Sequence, residues 1–534
     1  MLQKIQFSWK KTIFILACIF FAFTVRWSLI DHSPPRWDES LYLVESTMHH
    51  QALLSQGIIG CITSIFNADR GRVPLLTVLV QPSFLLFGPK LPVAVISMGL
   101  LWFLLAWSFY TIGTILNKKN GAAASALAFF LFGIYPQTTV LTNYFLVEFL
   151  LVSLVTTTYA LGLKYLVSRK NYYLWLLGIA ISLGMLAKVT FPVFLIPIIA
   201  LSWKILSEQH NKENKIKFIA TIIFCIIVLA IPYYIYNFTS LVTMTRSLSS
   251  SKITELYGFF PVWSFQGAIE YFHSVFYQPI PTLMMGGLCF LIIQQVIPKT
   301  KIISNSILLI ALISAIIPFL FVAFGTVKDS RYSYPALPII FILGSLGIAG
   351  CFRNIISTIL VLIYLLFFIK ISFISTFLTA QGLNFKLLGN TPSECSAPDP
   401  QNWKIGDIVS EVDNLLSEYK APHTLLFLGG NRYYHINLFR YYLLYLKKNE
   451  INFITLPYYE KDCALPEAMA FIEKNKIKAI LFKTGENYPP FSFRLTPEIV
   501  ESLHHNQDYD FKWLATRQPD GSQFGIFLLK NKDN

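Results

Sequence analysis

Asp38 and Glu39 stand side by side just beyond the first apolar run, in Pro34-Pro35-Arg36-Trp37-Asp38-Glu39-Ser40-Leu41-Tyr42. Adjacent carboxylates are costly to desolvate, and one placed near a lipid–water boundary can act as a general base or hold a divalent cation. The same two residues can also simply cap a helix or sit in solvent. What favours chemistry is their company. Arg70-Gly71-Arg72 follows in the same loop, Glu148 is an acid inside an apolar run, Lys188 lies between two apolar runs, and Lys328-Asp329-Ser330-Arg331-Tyr332 precedes a late one. Arginine binds phosphate by paired hydrogen bonds and lysine as a point charge. A set of this kind can therefore grip an anionic headgroup while a carboxylate activates a nucleophile.

The elements that must position these residues are set by composition. The chain has 534 residues, of which 54% are hydrophobic and 13% charged, and its mean hydropathy is +0.54. That excludes a water-soluble globule. Residues 1–380 carry 26 Lys/Arg against 11 Asp/Glu, and residues 381–534 carry 17 against 18. A basic, apolar body thus precedes a near-neutral polar one. The basic excess lies between apolar runs rather than in a separable arm, so a pI near 9.2 reads as membrane topology and nucleic acid is not an expected partner.

A bilayer core takes about 20 apolar residues per helix. Runs of that kind lie near 12–30, 91–116, 121–137, 140–163, 172–188, 190–206, 216–237, 281–298, 303–325, 332–350 and 354–378. The fold class expected is a multi-pass α-helical membrane protein of about 11 spans. Lys4, Lys10, Lys11, Lys118, Lys119, Arg169, Lys170, Lys212, Lys215, Lys217, Lys299, Lys301 and Arg353 fall at every second boundary, which marks those boundaries as cytoplasmic. The N-terminus is then inside and the polar domain outside. Val73–Gly88 cannot be a further span without reversing that pattern, and reads as a segment in the outer face. Asp31, Asp38, Glu39, Glu45, Asp69, Glu255, Glu270 and Asp329 all fall outside, and Glu148 about eight residues into its span, roughly 12 Å deep from the outer side.

After residue 400 short β-type runs alternate with helical patterns: strands at 423–428, 451–456 and 477–482, helices at 437–448, 466–474 and 497–505, and a closing antiparallel pair at 511–515 and 523–529. This predicts an α/β domain over 401–534, joined by a turn-rich linker at 381–400, with the first external loop of the membrane domain (1–380) at 31–90. The sequence assigns no chemistry to the α/β domain. Its Cys395 and Cys463 are open to pairing in an oxidising compartment, whereas Cys18, Cys225, Cys289 and Cys351 fall in spans as small buried hydrophobes. Signatures of soluble enzymes, such as CxxC, GxGxxG, a Walker loop or GxSxG, are absent.

A site half in lipid and half in water suits a substrate with a lipid tail, a phosphate at headgroup depth and a polar group beyond, which is the geometry of glycosyl transfer from a polyprenyl-phosphate sugar. The chain resembles the GT-C glycosyltransferases, in the branch of the protein O-mannosyltransferases and lipid A aminoarabinose transferases. The matching pieces run in the family's order: Trp37-Asp38-Glu39-Ser40-Leu41-Tyr42; Arg72-Val73-Pro74-Leu75-Leu76 through Leu86-Phe87-Gly88; Val147-Glu148-Phe149-Leu150; Leu186-Ala187-Lys188 through Pro197; and Arg331-Tyr332-Ser333-Tyr334-Pro335-Ala336-Leu337-Pro338. The resemblance implies an inverting transfer with Asp38 as base or metal-binding acid, Glu39 as its supporting partner and Glu148 as the second acid. Arg72, Lys188, Lys328, Arg331 and Tyr332 form the candidate phosphate-binding set. Members differ in metal use, so a divalent metal on Asp38 and Glu148 is held open. The partners implied are a polyprenyl-phosphate-linked sugar, membrane lipids, and a lipid, glycan or protein acceptor on the extracytoplasmic face of the cell membrane. The alternative is a multi-pass lipid or solute transporter or flippase, which would show inverted repeats and ionisable groups at mid-membrane. No internal repeat is evident, and the charges gather toward one face.

Overall fold

The structure, a computed structural model, describes residues 8–68, 72–207, 212–248, 263–276, 279–296, 305–325, 330–351, 398–419, 424–429, 433–448, 451–456, 464–485 and 495–530. The first helix, α1 (Trp9–Ile30), ends at Asp31, where Pro34 and Pro35 force extended backbone. α2 (Trp37–Asn67) starts directly after them. Its first turn is closed by Glu39, whose Oε2 accepts the Arg36 N–H at 3.1 Å, and by Ser40, whose hydroxyl donates to the Pro35 carbonyl at 2.8 Å. Gly57, at φ +67°, bends α2 in its middle, a left-handed conformation that a side chain would strain. The bend brings Ser64 back to His49, Oγ to Nδ1 at 2.9 Å.

Two short helices follow, α3 (Leu75–Leu79) and α4 (Gln81–Phe87). At about 1.5 Å per residue neither reaches across a bilayer by itself. The membrane body continues through α5 (Leu91–Gly99), α6 (Leu101–Leu116), α7 (Gly121–Ile134), α8 (Pro136–Asn143), α9 (Val147–Ser168), α10 (Asn171–Ala187), α11 (Phe191–Ser207), α12 (Lys212–Leu229) and α13 (Ile231–Tyr236). α14 (Phe238–Leu248) and α15 (Phe265–Phe276) lie within the stretch that the hydropathy pattern leaves as a long loop. α16 (Pro279–Val296), α17 (Asn305–Phe324) and α18 (Leu337–Cys351) follow, the last entered through 3-10 turns at Ser330–Tyr332 and Tyr334–Ala336. Among the described residues, Trp9–Ile30, Leu91–Leu116 and Val147–Ser168 are long and apolar enough to cross a membrane, and α7 with α8 would make a further span bent by 66°. The other apolar helices are shorter, and the run at 354–378 lies outside the described residues.

α9 is the enclosed centre of the body, with α6, α10 and α11 packed around it. α16 and α18 cross so closely that a Cβ on Gly287 would stand 2.3 Å from the Gly344 carbonyl oxygen, a contact only small residues permit. One boundary differs from the expected one. Proline opens α8, and an extended step at Tyr144–Leu146 separates it from α9. The expected span 140–163 is therefore α9 at 147–168, and Glu148 sits in its first turn, not eight residues deep. The cause is tertiary: the Phe145 N–H donates to Glu39 Oε1 at 2.7 Å, which holds the chain extended where the apolar pattern is continuous. The cysteines also divide, with Cys225 buried, Cys18 half-buried and Cys289 exposed rather than buried. Cys395 and Cys463 lie outside the described residues.

The C-terminal part begins with an amphipathic helix absent from the expected elements, α19 (Ile405–Glu418), which buries Ile405, Ile408, Val409, Val412 and Leu416. Then come β1 (Thr424–Leu428), α20 (Ile436–Tyr445), β2 (Asn452–Ile454), α21 (Leu465–Lys474), β3 (Ala479–Lys483), α22 (Thr496–His505), β4 (Tyr509–Arg517) and β5 (Gln523–Leu529). The sheet order is β2-β1-β3-β5-β4, parallel among β1, β2 and β3 and antiparallel at β5 and β4. Alternate strand residues fill two separate cores, one under α19 and α20 and the other under α21 and α22. α20 lies along α2. There Gln51 donates to the Leu444 carbonyl at 2.9 Å and the Tyr441 hydroxyl to the Pro89 carbonyl at 3.1 Å.

Candidate functional site

Asp38 occupies the first turn of α2 and is 46% exposed. Arg72 reaches it from the bend before α3, Nη2 donating to Oδ1 at 3.2 Å, and Arg331 stands 3.9 Å from Oδ2. Arg72 is held on its other sides as well. Its guanidinium lies 5.1 Å from the Tyr42 ring centroid, and its carbonyl accepts the Tyr233 hydroxyl. Burial disfavours the Arg72 charge, but Tyr42, Asp38 and Glu45 outweigh burial and raise its hold on the proton. Glu45 was not among the candidates, although the spacing 38, 42, 45, 49 puts Asp38, Tyr42, Glu45 and His49 along one face of a helix. That spacing was the signal in the sequence that could have found it.

The second acid, Glu148, is buried at the start of α9 and accepts from Lys188 Nζ at 2.9 Å. Lys188 caps the end of α10, and its ammonium is 4.3 Å from the Tyr332 ring centroid. Arg331 and Tyr332 share one 3-10 turn, so this turn joins the two clusters, with Tyr332 over Lys188 and Arg331 between Asp38 and the charge of Glu148. Asp38, Arg72, Glu148, Lys188, Arg331 and Tyr332, drawn from positions almost 300 residues apart, thus meet in one region beside α2. Lys328 lies outside the described residues.

Glu39 departs from its expected place among the reacting groups. Successive helical residues point about 100° apart, so with Asp38 turned toward the arginines Glu39 faces inward. It is 2% exposed and spends both oxygens on backbone N–H groups, of Arg36 and Phe145. Burial pushes its carboxyl up to about 7 against those hydrogen bonds. It is a brace between α2 and the start of α9. Arg36, also absent from the candidates, stacks its guanidinium 3.6 Å from the Tyr144 ring centroid and hydrogen-bonds the Tyr144 hydroxyl.

Among the described residues, the donor set does not suit a resident cation. Asp38 and Glu148 are each closed by guanidinium or ammonium groups, and no group of three or more His, Cys, Asp or Glu side chains fit for a metal occurs among the described residues.

No protein-family model and no curated protein matches the chain. Solved structures do. The crystal structure of ArnT from Cupriavidus metallidurans bound to undecaprenyl phosphate superposes with a TM-score of 0.57 at 12% identity, covering 97% of this chain and 98% of that one. Its apo form gives 0.58 at 13% identity, with 96% and 97% covered. The archaeal oligosaccharyltransferase AglB from Archaeoglobus fulgidus, in complex with an inhibitory peptide and a dolichol-phosphate, gives 0.53 at 11% identity, with 98% and 74% covered. Identities this low speak to fold alone, and the fold, that of a multi-pass membrane protein, extends over nearly the whole of this chain and of ArnT. The chain shares the fold of ArnT and AglB, the GT-C fold.

Proposed function

We propose that the protein is an inverting glycosyltransferase that moves a sugar from a polyprenyl-phosphate donor to an acceptor on the extracytoplasmic face of the cell membrane, with its N-terminus cytoplasmic and its C-terminal domain outside. The observation that carries this reading is the meeting of Asp38 with Arg72 and Arg331 beside the Glu148–Lys188 pair, at helix ends and in turns rather than in the middles of helices. A lipid phosphate at headgroup depth reaches such a place, and ArnT and AglB were each solved with a polyprenyl-type phosphate bound. Transport would call for ionisable groups at mid-membrane, whereas the described members of this site stand at helix ends and in turns.

The chemistry follows from the charges. A carboxylate such as Asp38 takes the proton of an acceptor hydroxyl or amine as that atom attacks the anomeric carbon. The bond from that carbon to the phosphate oxygen breaks, and the oxygen keeps the electron pair. Negative charge grows on the departing phosphate, where Lys188 and Arg331 stabilise it, with Arg72 alongside. Glu148 orients Lys188, and Tyr332 covers its ammonium. Glu39 supports the start of α2. No step passes through a metal. Replacing Asp38 by Asn keeps the shape and removes the base. Transfer from a polyprenyl-phosphate sugar should fall by at least about 100-fold while membrane insertion stays normal. Undiminished transfer by that variant would remove the mechanism.

A further inference from the structure

The reaction scheme leaves unused a histidine of the C-terminal domain that touches the residues on both sides of Asp38. His435 precedes α20, and its ring stacks on Trp37 with centroids 4.4 Å apart and planes 20° from parallel. Its Nδ1 caps α20 by accepting the Leu438 N–H at 3.4 Å. Nε2 therefore carries the hydrogen. It points at the Pro35 carbonyl oxygen and the Ser40 hydroxyl, each 3.3 Å away, and Ser40 itself donates to Pro35. Trp37 and Ser40 bracket Asp38 in sequence. One buried imidazole thus ties together the Pro35 carbonyl just before the helix and the Trp37 ring and Ser40 hydroxyl of its first turn. The Asp38 side chain is left free to face its arginines.

We infer that His435 is a positioning residue for Asp38, which gives the C-terminal domain a part in transfer; this rests on the reading of Asp38 as the base. The domain does not depend on His435 for its seat. Asp399 donates its N–H to Asp31 at 2.8 Å and accepts the His32 N–H at 2.6 Å, and Gln51 and Tyr441 hold α20 as described. Losing the imidazole should therefore loosen the first turn of α2 without undocking the domain. The phosphate contacts Lys188 and Arg331 belong to other elements and should keep their places.

The test uses the full-length protein with His435→Ala and His435→Gln. Three quantities are read: transfer kinetics, equilibrium binding of polyprenyl phosphate, and hydrogen exchange of peptides covering 36–45. In the alanine variant kcat should fall roughly 10-fold to 100-fold, because a misplaced base costs rate rather than affinity. Donor KM and polyprenyl phosphate affinity should stay within about twofold. Exchange in 36–45 should rise, with 147–168 unchanged. The glutamine variant, whose amide N–H can replace Nε2–H, should recover most of the rate. Unchanged exchange and rate in the alanine variant, or equal loss of rate and phosphate affinity, would overturn the inference. Should the unmodified protein transfer no sugar and bind no polyprenyl phosphate, the glycosyl-transfer reading fails and the positioning role for catalysis falls with it, whatever the exchange of 36–45 shows.

Discussion

Asp38 has arginine on either side of its carboxylate, Arg72 at 3.2 Å and Arg331 at 3.9 Å. A phosphate is the natural competitor for both guanidiniums. Asp38 and the donor phosphate therefore contend for the same cations, and donor arrival should free the carboxylate as the acceptor comes in. Removing the Asp38 charge should accordingly strengthen phosphate binding: Asp38→Asn should bind polyprenyl phosphate about two- to tenfold more tightly, while Arg331→Ala binds it more weakly. Weaker binding by the asparagine variant, measured by equilibrium titration, would mean the carboxylate is not a competitor. Glu148 and Lys188 call for a different experiment because they are mostly buried. Neutralising one member of such a pair leaves the other charge uncompensated, so Glu148→Gln should cost about 3–5 kcal/mol. Adding Lys188→Met should restore the melting temperature but not transfer. A double variant that regains activity would strip Lys188 of its role toward the phosphate.

The first turn of α2 carries one buried titratable group, Glu39, and packs against another of opposite habit, His435. Burial pushes the Glu39 carboxyl up to about 7 and the His435 imidazole down to about 4. The folded state thus holds a proton on Glu39 that the unfolded chain releases between about 4.5 and 7, and this contribution to stability fades as pH rises through that window. For His435 the unfolded chain binds the proton between about 4 and 6.5 while the folded state does not, so that contribution grows with pH. The two slopes oppose each other over most of the same range. Thermal unfolding of the unmodified protein relative to Glu39→Gln should therefore show an advantage that shrinks from pH 4.5 to 7, and relative to His435→Gln one that grows from pH 4 to 6.5. Parallel curves for all three proteins would show that neither group is as enclosed as its contacts imply.

At the scale of the molecule, the α/β domain covers the end of the helical body where Asp38 lies, and α20 runs along α2. If the charge pattern sets orientation, this end is external and the Lys118-Lys119 turn is cytoplasmic. Single cysteines at Lys119 and Gln401 should then react with a membrane-impermeant thiol reagent from opposite sides of intact cells or spheroplasts, with Gln401 labelled from outside. Labelling of both from one side would reverse the placement of the site.

Much of this molecule is written in local pattern. Apolar runs mark most of the helical body, since each must bury its own backbone hydrogen bonds in lipid. Strand-length runs such as 423–428 and 477–482, observed as β1 and β3, mark the sheet, since alternate residues fill the cores on its two faces. The candidate acids and bases were legible too, because charge is conspicuous where it is expensive. Their roles were less so. Asp38 and Glu39 are neighbours of like chemistry, and only the tertiary structure separates them, since a helix turns one toward Arg72 and the other toward the Phe145 N–H. That same hydrogen bond ends an apolar run that hydropathy reads through, and it moves Glu148 from about eight residues deep to the first turn of α9. His435 reaches Ser40 across 395 residues, a contact no local pattern records. The sequence by itself determined the apolar elements and the stock of charges, because these follow from the solvent each residue must meet. The tertiary structure alone decided which charges meet, because that depends on how distant elements pack.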